Sequence, residues 1–317
     1  MKSILLVVAA MLACSMPIPA KAQQASQSDS AEAERLRTAM QSARWTGPML
    51  ASTAETLPHG HFYTEPYFFD VISGGKHSPG TSGYYQYGLT DSLTVGVQPN
   101  FAVGTDRANR GMALGDLKLL SQLRLTHFTP EHRIPSVAIV LNAAIPTGKY
   151  DRLGELKQGH GSGSFAPEIG INVQHYVLLK NGRLLRARFN VLKSFRLRTD
   201  VADRSVYGTV PGFRGRARPG SRTTLIGAVE YSLTREWVLA FDVDSEFTNK
   251  TRLSGRDGSG GPLVNQSIPS SSFISFAPAV EYNWSDRSGI LLGLWVIPKG
   301  HNTPASVTPA LAYSRFW

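Results

Sequence analysis

The chain has 317 residues, a formal charge of +10 at neutral pH and a single cysteine, Cys14. The basic excess would suit a phosphate-rich partner, yet no segment interleaves basic and aromatic side chains as a nucleic-acid-binding face does, so the charge points instead to anionic lipid head groups. One cysteine excludes a disulfide framework, and no apolar run of about 18 residues follows the first segment, which excludes a membrane-spanning helix and leaves strands as the only way across a bilayer.

Lys2, the apolar stretch from Ile4 to Met16, and Ala20-Lys21-Ala22 ahead of Gln23 form the charged, apolar and small-residue pattern of a cleaved export signal spanning residues 1 to 22. Its removal takes away Lys2, Lys21 and Cys14, lowering the formal charge from +10 to +8. A lipoprotein cut before Cys14 is the weaker alternative, because Met11 and Leu12 occupy the places where that site wants leucine and a small residue. Residues 23 to 60 are polar and rich in Ala and Ser, with a short helix predicted around 31 to 43, and read as a periplasmic or lumenal leader.

From His61 to Trp317 the texture changes to short alternating segments separated by Gly, Asp, Asn and Ser, which predicts an all-β fold: a transmembrane antiparallel up-and-down β-barrel of about twelve strands. The expected strands are 61 to 73, 81 to 89, 93 to 104, 112 to 128, 136 to 146, 164 to 179, 183 to 197, 222 to 233, 237 to 249, 271 to 284, 288 to 298 and 306 to 317. Short turns then alternate with longer loops at 74 to 80, 105 to 111, 147 to 163, 198 to 221, 250 to 270 and 299 to 305. Register supports this reading. Three-residue turns at Thr90-Asp91-Ser92, Lys180-Asn181-Gly182 and Thr234-Arg235-Glu236 keep even positions opposite even ones, aligning Gly88 with Thr94 and Glu230 with Ala240. Leu117, Leu119, Leu123 and Leu125, then Trp237, Leu239, Phe241 and Val243, then Val280, Tyr282 and Trp284 would face lipid. Tyr67, Phe68, Phe69, Phe128, Tyr231, Trp237, Trp284, Tyr313 and Trp317 would form the interfacial girdles. A soluble sandwich is the bland alternative, disfavoured by the export signal and the loop asymmetry.

Leu57-Pro58-His59-Gly60, Glu65-Pro66-Tyr67, Gly88-Leu89-Thr90-Asp91, Gly115-Asp116, Ile145-Pro146-Thr147-Gly148 and Gly161-Ser162-Gly163 follow one another at strand ends. In that order they resemble the outer-membrane transporter family grouped under the meta-cleavage pathway of phenol degradation, over about 57 to 317. The resemblance implies a barrel in the cell outer membrane that passes or binds small, often aromatic or apolar, organic compounds. One departure is Arg315, which interrupts the apolar alternation of the last strand before Trp317; that strand is what the barrel-assembly machinery would recognise.

The expected pore-lining set is charged. Arg186, Arg188 and Arg196 make a basic row, Glu230, Asp242, Asp244 and Glu246 lie on the next two strands, and Asp116, Lys118, Arg124 and Glu168 lie on strands before. Opposed rows across a constriction would select solutes by a transverse field, whereas local pairing would merely fill the interior. The arginine-rich segment 198 to 221 would meet lipopolysaccharide phosphates or simply be solvated. An outer-membrane phospholipase would need a Ser placed after an outward His, which neither His127 nor His175 has, so no catalytic residue is assigned. His59-Gly60-His61 lacks the companions of a metal site, and the glycine-rich stretch 255 to 261 lacks phosphate-loop spacing, so no metal or cofactor is expected. A non-conducting structural or surface-binding barrel is the competing function.

Overall fold

Apolar side chains recur at every second position from Phe62 onward, and the chain forms antiparallel strands there. The computed structural model describes residues 20–104, 111–258 and 261–317. Nearly all of the expected export signal lies outside the described residues. The chain starts with helix α1 (Ala20–Ser42) and runs without regular structure to the first strand. Then follow β1 (Phe62–Ser73), β2 (Lys76–Thr90), β3 (Leu93–Gln98), β4 (Asn100–Gly104), β5 (Gly111–Leu114), β6 (Leu117–Thr126), β7 (Ser136–Ile145), β8 (Ala166–Leu178) and β9 (Leu184–Ser194). The remainder comprises β10 (Thr199–Ala202), β11 (Arg214–Arg218), β12 (Arg222–Ser232), β13 (Trp237–Thr248), β14 (Thr251–Arg256), β15 (Leu263–Ile268), β16 (Ser271–Ser285), β17 (Ser288–Ile297) and β18 (Ser306–Phe316).

Among the described residues, neighbours in sequence pair antiparallel around a ring, and β1 pairs both with β2 and with β18, which closes it. β3 and β4 form one stave broken at Pro99, and β5 and β6 another broken at Gly115-Asp116, so the ring has twelve staves. Closure leaves no sheet edge in the hydrocarbon, where unmatched backbone groups would cost several kcal/mol each. The backbone N–H of Trp317 donates to Phe62 O at 2.9 Å, tying the chain end to the first stave.

The burial pattern suits a lipid exterior. In β13, Trp237, Leu239, Phe241 and Val243 are exposed while Val238, Ala240, Asp242 and Asp244 are buried. β18 repeats this with Val307, Leu311 and Tyr313 outside and Thr308, Ala310, Ala312 and Ser314 inside. Large apolar groups outside and small or polar ones inside is stable only where the surroundings are apolar. The three-residue turns give the expected registers: Gly88 faces Thr94, Glu230 faces Ala240, and Asn172 faces Asn190 across the turn in which Gly182 takes φ 76°.

Four expectations need correction. The connection at 74 to 80 is not a long loop, because β2 starts at Lys76 and only Gly74 and Gly75, both at positive φ, make the turn. The helix starts at Ala20 rather than near 31, since propensity continues through the polar Ala/Gln/Ser stretch. Tyr67 is no girdle residue; it shares the inward face of β1 with the buried Glu65, and its ring meets Tyr84 edge-on at 6.4 Å. Phe128 lies past the end of β6 and is 1% exposed, packed with Leu36 of α1, Tyr176 and Leu184 under the barrel end. In both cases the alternation was right for strands but could not see what covers their inner or terminal positions.

A second, four-stranded sheet, β10-β11-β14-β15, stands beyond the ring at the end opposite the termini. Val201, Phe213, Ala217 and Leu253 form its own apolar cluster, with Tyr207 and Val264 against it.

Candidate functional site

The interior is built by inward side chains of the staves and by the leader that winds past them. Between 44 and 58 the leader has no strand partner, so its backbone groups must be satisfied by side chains. Glu281 accepts from Thr46 N and Thr46 Oγ1, each at 2.7 Å, and from Gly47 N at 3.1 Å. Asp242 accepts from Met49, Leu50 and Ala51 N at 3.1, 3.4 and 2.9 Å. Arg188 donates to Ala51 O at 2.8 Å. Asn190 and Ser52 exchange a reciprocal pair at 2.9 and 3.0 Å, in which the amide side chain replaces a ladder partner. Next, Asn172 donates to Thr53 O at 3.2 Å and Gln122 to Glu55 O at 2.8 Å, and Thr94 Oγ1 accepts from Leu57 N at 2.8 Å. These residues sit on β16, β13, β9, β8, β6 and β3, which is their order around the ring. The leader is therefore a belt on the inner wall.

Both ends of the belt are clamped. Arg44 donates to Asp286 Oδ1 at 2.6 Å and to Trp284 O at 3.1 Å, holding the leader to the turn between β16 and β17. That hydrogen bond, with the charges of Arg44 and Arg235, keeps the Asp286 carboxyl below its ordinary range. At the other end Glu55 receives Arg124 at 2.9 Å, His127 at 3.0 Å and the Ser136 hydroxyl. His59 and His61 serve the backbone: their Nδ1 atoms lie 2.9 Å from Leu89 O and 2.7 Å from Trp317 O.

The charged set divides by depth. Near the termini end, Arg186 makes a two-pronged pair with Glu230, and Arg188 Nε lies 3.1 Å from the same carboxylate. The guanidinium of Arg186 also covers the Trp45 ring at 4.5 Å. Glu230, Asp242 and Glu281 are fully buried, with 0% exposure. Toward the loop end the side chains are wetter: Lys118 pairs with Glu168 at 2.7 Å with exposures of 27% and 11%, and Arg222 pairs with Glu246 at 3.2 Å with 39% and 19%. Asp244 accepts from Ser275 at 3.2 Å, and Arg196 is half-buried above β9. The structure thus brings Arg186, Arg188 and Glu230 together, and separately Lys118 with Glu168, while Arg124 binds the leader. Each of these opposite charges meets locally: on neighbouring staves, across the single intervening stave β7 for Lys118 and Glu168, or on the leader.

Asp116 has a structural task. Its carboxylate accepts from Gly148 N at 3.1 Å, Ser162 N at 2.8 Å and Ser162 Oγ at 2.7 Å, folding the segment 147 to 163 over the barrel mouth. Tyr207 from the next loop donates to Ser162 O, and burial raises its phenol above the ordinary value. Gly115 and Thr147 join the same knot, with Thr147 Oγ1 donating to Gly115 O at 2.8 Å. At the opposite end Gly88 passes under Pro58, where a Cβ would stand 2.0 Å from Pro58 O, and Asp91 accepts from His59 N at 2.9 Å. Five of the six motifs that looked scattered in sequence therefore make two knots, one closing the loop end and one seating the leader, while Glu65-Pro66-Tyr67 lies within β1. Sequence reasoning missed Glu55, Glu65 and Glu281. For Glu281 the signal was present, since Val280 and Tyr282 were expected to face lipid and their neighbour must then face in.

The family described as "Putative MetA-pathway of phenol degradation" matches residues 52–296. No curated protein matches the sequence. Among solved structures, the COG4313 outer membrane channel from Pseudomonas putida F1 is similar with a TM-score of 0.53 and 15% identity, over 83% of this chain and 98% of that one. At that identity the likeness concerns the barrel fold. The NanC porin is more distant, with a TM-score of 0.48 and 8% identity over 79% of this chain and 98% of its own.

Proposed function

The chain belongs to the phenol-degradation family whose match spans most of its length, and from that premise we propose that it is an outer-membrane channel for passive uptake of small organic compounds, gated by its own leader. The observation that carries this reading is the contrast of depth: a wet vestibule with Lys118, Glu168, Arg222 and Glu246 leads from the loop end down to a dry collar where the belt meets Glu230, Asp242 and Glu281. A solute would enter between the loops, and the belt would have to leave the wall before it could pass. In this reading residues 1 to 22 are cut off on export, the termini face the periplasm and the second sheet faces outward. The likeness in fold to the Pseudomonas putida outer membrane channel is consistent with this assignment. The pore-lining role then falls to Lys118, Glu168, Arg196, Arg222, Asp244 and Glu246, while Arg186, Arg188 and Glu230 hold the collar.

Partners follow from the same reading: outer-leaflet lipids around the girdles, a small solute inside, and the assembly machinery at β18. Arg315 in that strand lies over the Trp317 ring at 4.7 Å and donates to Ser288 at 2.9 Å, so its charge is accommodated at the end of the stave. The dry collar favours one second reading, a non-conducting structural barrel. Planar-bilayer recording separates the two. A mature chain lacking residues 23 to 58 should show discrete open levels larger than those of the intact chain, with ion selectivity shifted by Lys118→Glu. Silence of both chains in the bilayer would favour the structural barrel.

A further inference from the structure

At the loop end the wall changes character over a few residues. β9 and β12 stay paired up to Ser194 and Arg222, and β10 and β11 pair again from Thr199 and Ala217 in a register that continues the same count. Between them the ladder is open. Pro219 supplies no N–H there. The in-and-out alternation also slips by one: Leu197 and Arg198 are both exposed, Asn249 and Lys250 are both exposed, and Pro219 and Gly220 are both buried. Beyond the slip the apolar face of the second sheet is covered, and an arginine face is left exposed.

That face is self-repelling. Arg214 stands directly opposite Arg256, and Arg218 directly opposite Arg252. Like charges at facing positions of a ladder destabilise it. Asp200 answers Arg216 at 3.0 Å, but among the described residues the side chains of Arg218, Lys250 and Arg252 have neither an ion pair nor a hydrogen bond. These three cations line a cavity of about 800 Å³, with the exposed Phe195 and Leu197 on its lower side. The height of the cavity is set by the strand. β9 runs 11 residues from the termini end, which is about the length that crosses the hydrocarbon, so residues 195 to 198 emerge at the level of the outer head groups.

We propose that this notch is a binding site for the phosphorylated head group of an outer-leaflet lipid, with the phosphate on Arg218, Lys250 and Arg252 and the acyl chains against Phe195 and Leu197. The volume suits a phosphosugar head group, since pockets for molecules of that size run roughly 300 to 1,000 Å³. The repulsion across β11 and β14 is then relieved by the ligand. The site rests on the outer-membrane orientation proposed above.

The test is native mass spectrometry of the refolded mature chain in neutral detergent with bisphosphorylated lipid A, the same lipid stripped of phosphate, and inorganic phosphate. One bisphosphorylated lipid should be retained, and Arg218→Gln/Arg252→Gln should weaken retention about 30-fold, the effect of two cations beside an anionic surface. Without lipid the double variant should melt no lower than the parent, because it loses a repulsive pair. Equal retention by the variant, or equal retention of the stripped lipid, overturns the proposal. Displacement by equimolar inorganic phosphate also overturns it, in favour of a free anion site. Heat-modifiable mobility and conductance of the same preparation show separately whether the barrel and its channel reading stand.

Discussion

Glu230 carries the densest electrostatic load in the interior, because one carboxylate answers two buried arginines. Removing one partner of a buried pair leaves an unmatched charge, which costs about 3–5 kcal/mol. Glu230→Gln should therefore lower stability by about that amount in denaturant titrations in detergent, whereas a surface substitution such as Arg204→Gln should stay within about 0.5 kcal/mol. Gly88 works by absence: a side chain there would occupy the place of Pro58 O. Gly88→Val should push residues 57 and 58 off the wall, and limited proteolysis should then cut the leader in the variant faster than in the parent. Asp286 sets a pH dependence at the leader's entry. Its carboxyl is lowered in the folded state by the hydrogen bond from Arg44, so the clamp is fully present above the unfolded carboxylate range and is lost as pH falls through the folded value. Acidification below the ordinary aspartate range should raise protease access near Arg44, and Asp286→Asn should abolish that dependence.

The stave is the unit that meets the membrane, and its two faces answer to different solvents. Phe241 lies near the middle of the outer face of β13. A charge at that depth costs about 2–4 kcal/mol in a transmembrane barrel, so Phe241→Arg should lower the equilibrium stability of the refolded protein in lipid by about that much. The leader is the opposite kind of element. Above α1 its apolar contact is small, chiefly Leu50 and Ala51 against Ile226 and Ala228, and it depends on side chains of six staves for its backbone hydrogen bonds. Such a segment can leave as a unit once its anchors at Asp242 and Glu281 are weakened. Asp242→Ala/Glu281→Ala should accordingly increase single-channel open probability while leaving the barrel folded, read by bilayer recording together with gel mobility before and after boiling.

For the whole molecule, closure between β1 and β18 decides that there is an inside at all. Local alternation in twelve segments and odd-length turns were enough to read an antiparallel barrel and the side on which most stave residues lie, Tyr67 being one that the sequence placed on the wrong side. Those features are legible in the sequence because a strand's facing depends only on parity, and parity is carried by neighbours along the chain. What lies across the lumen does not depend on neighbours. That Asp242 and Glu281 hold a belt of backbone, that Asp116 pins the loop over the mouth, that Arg186 and Arg188 converge on Glu230, and that the arginines of β11 and β14 face each other are all relations between residues far apart in sequence. Only the closing of the ring, which fixes distances among staves, brings those groups within hydrogen-bonding reach.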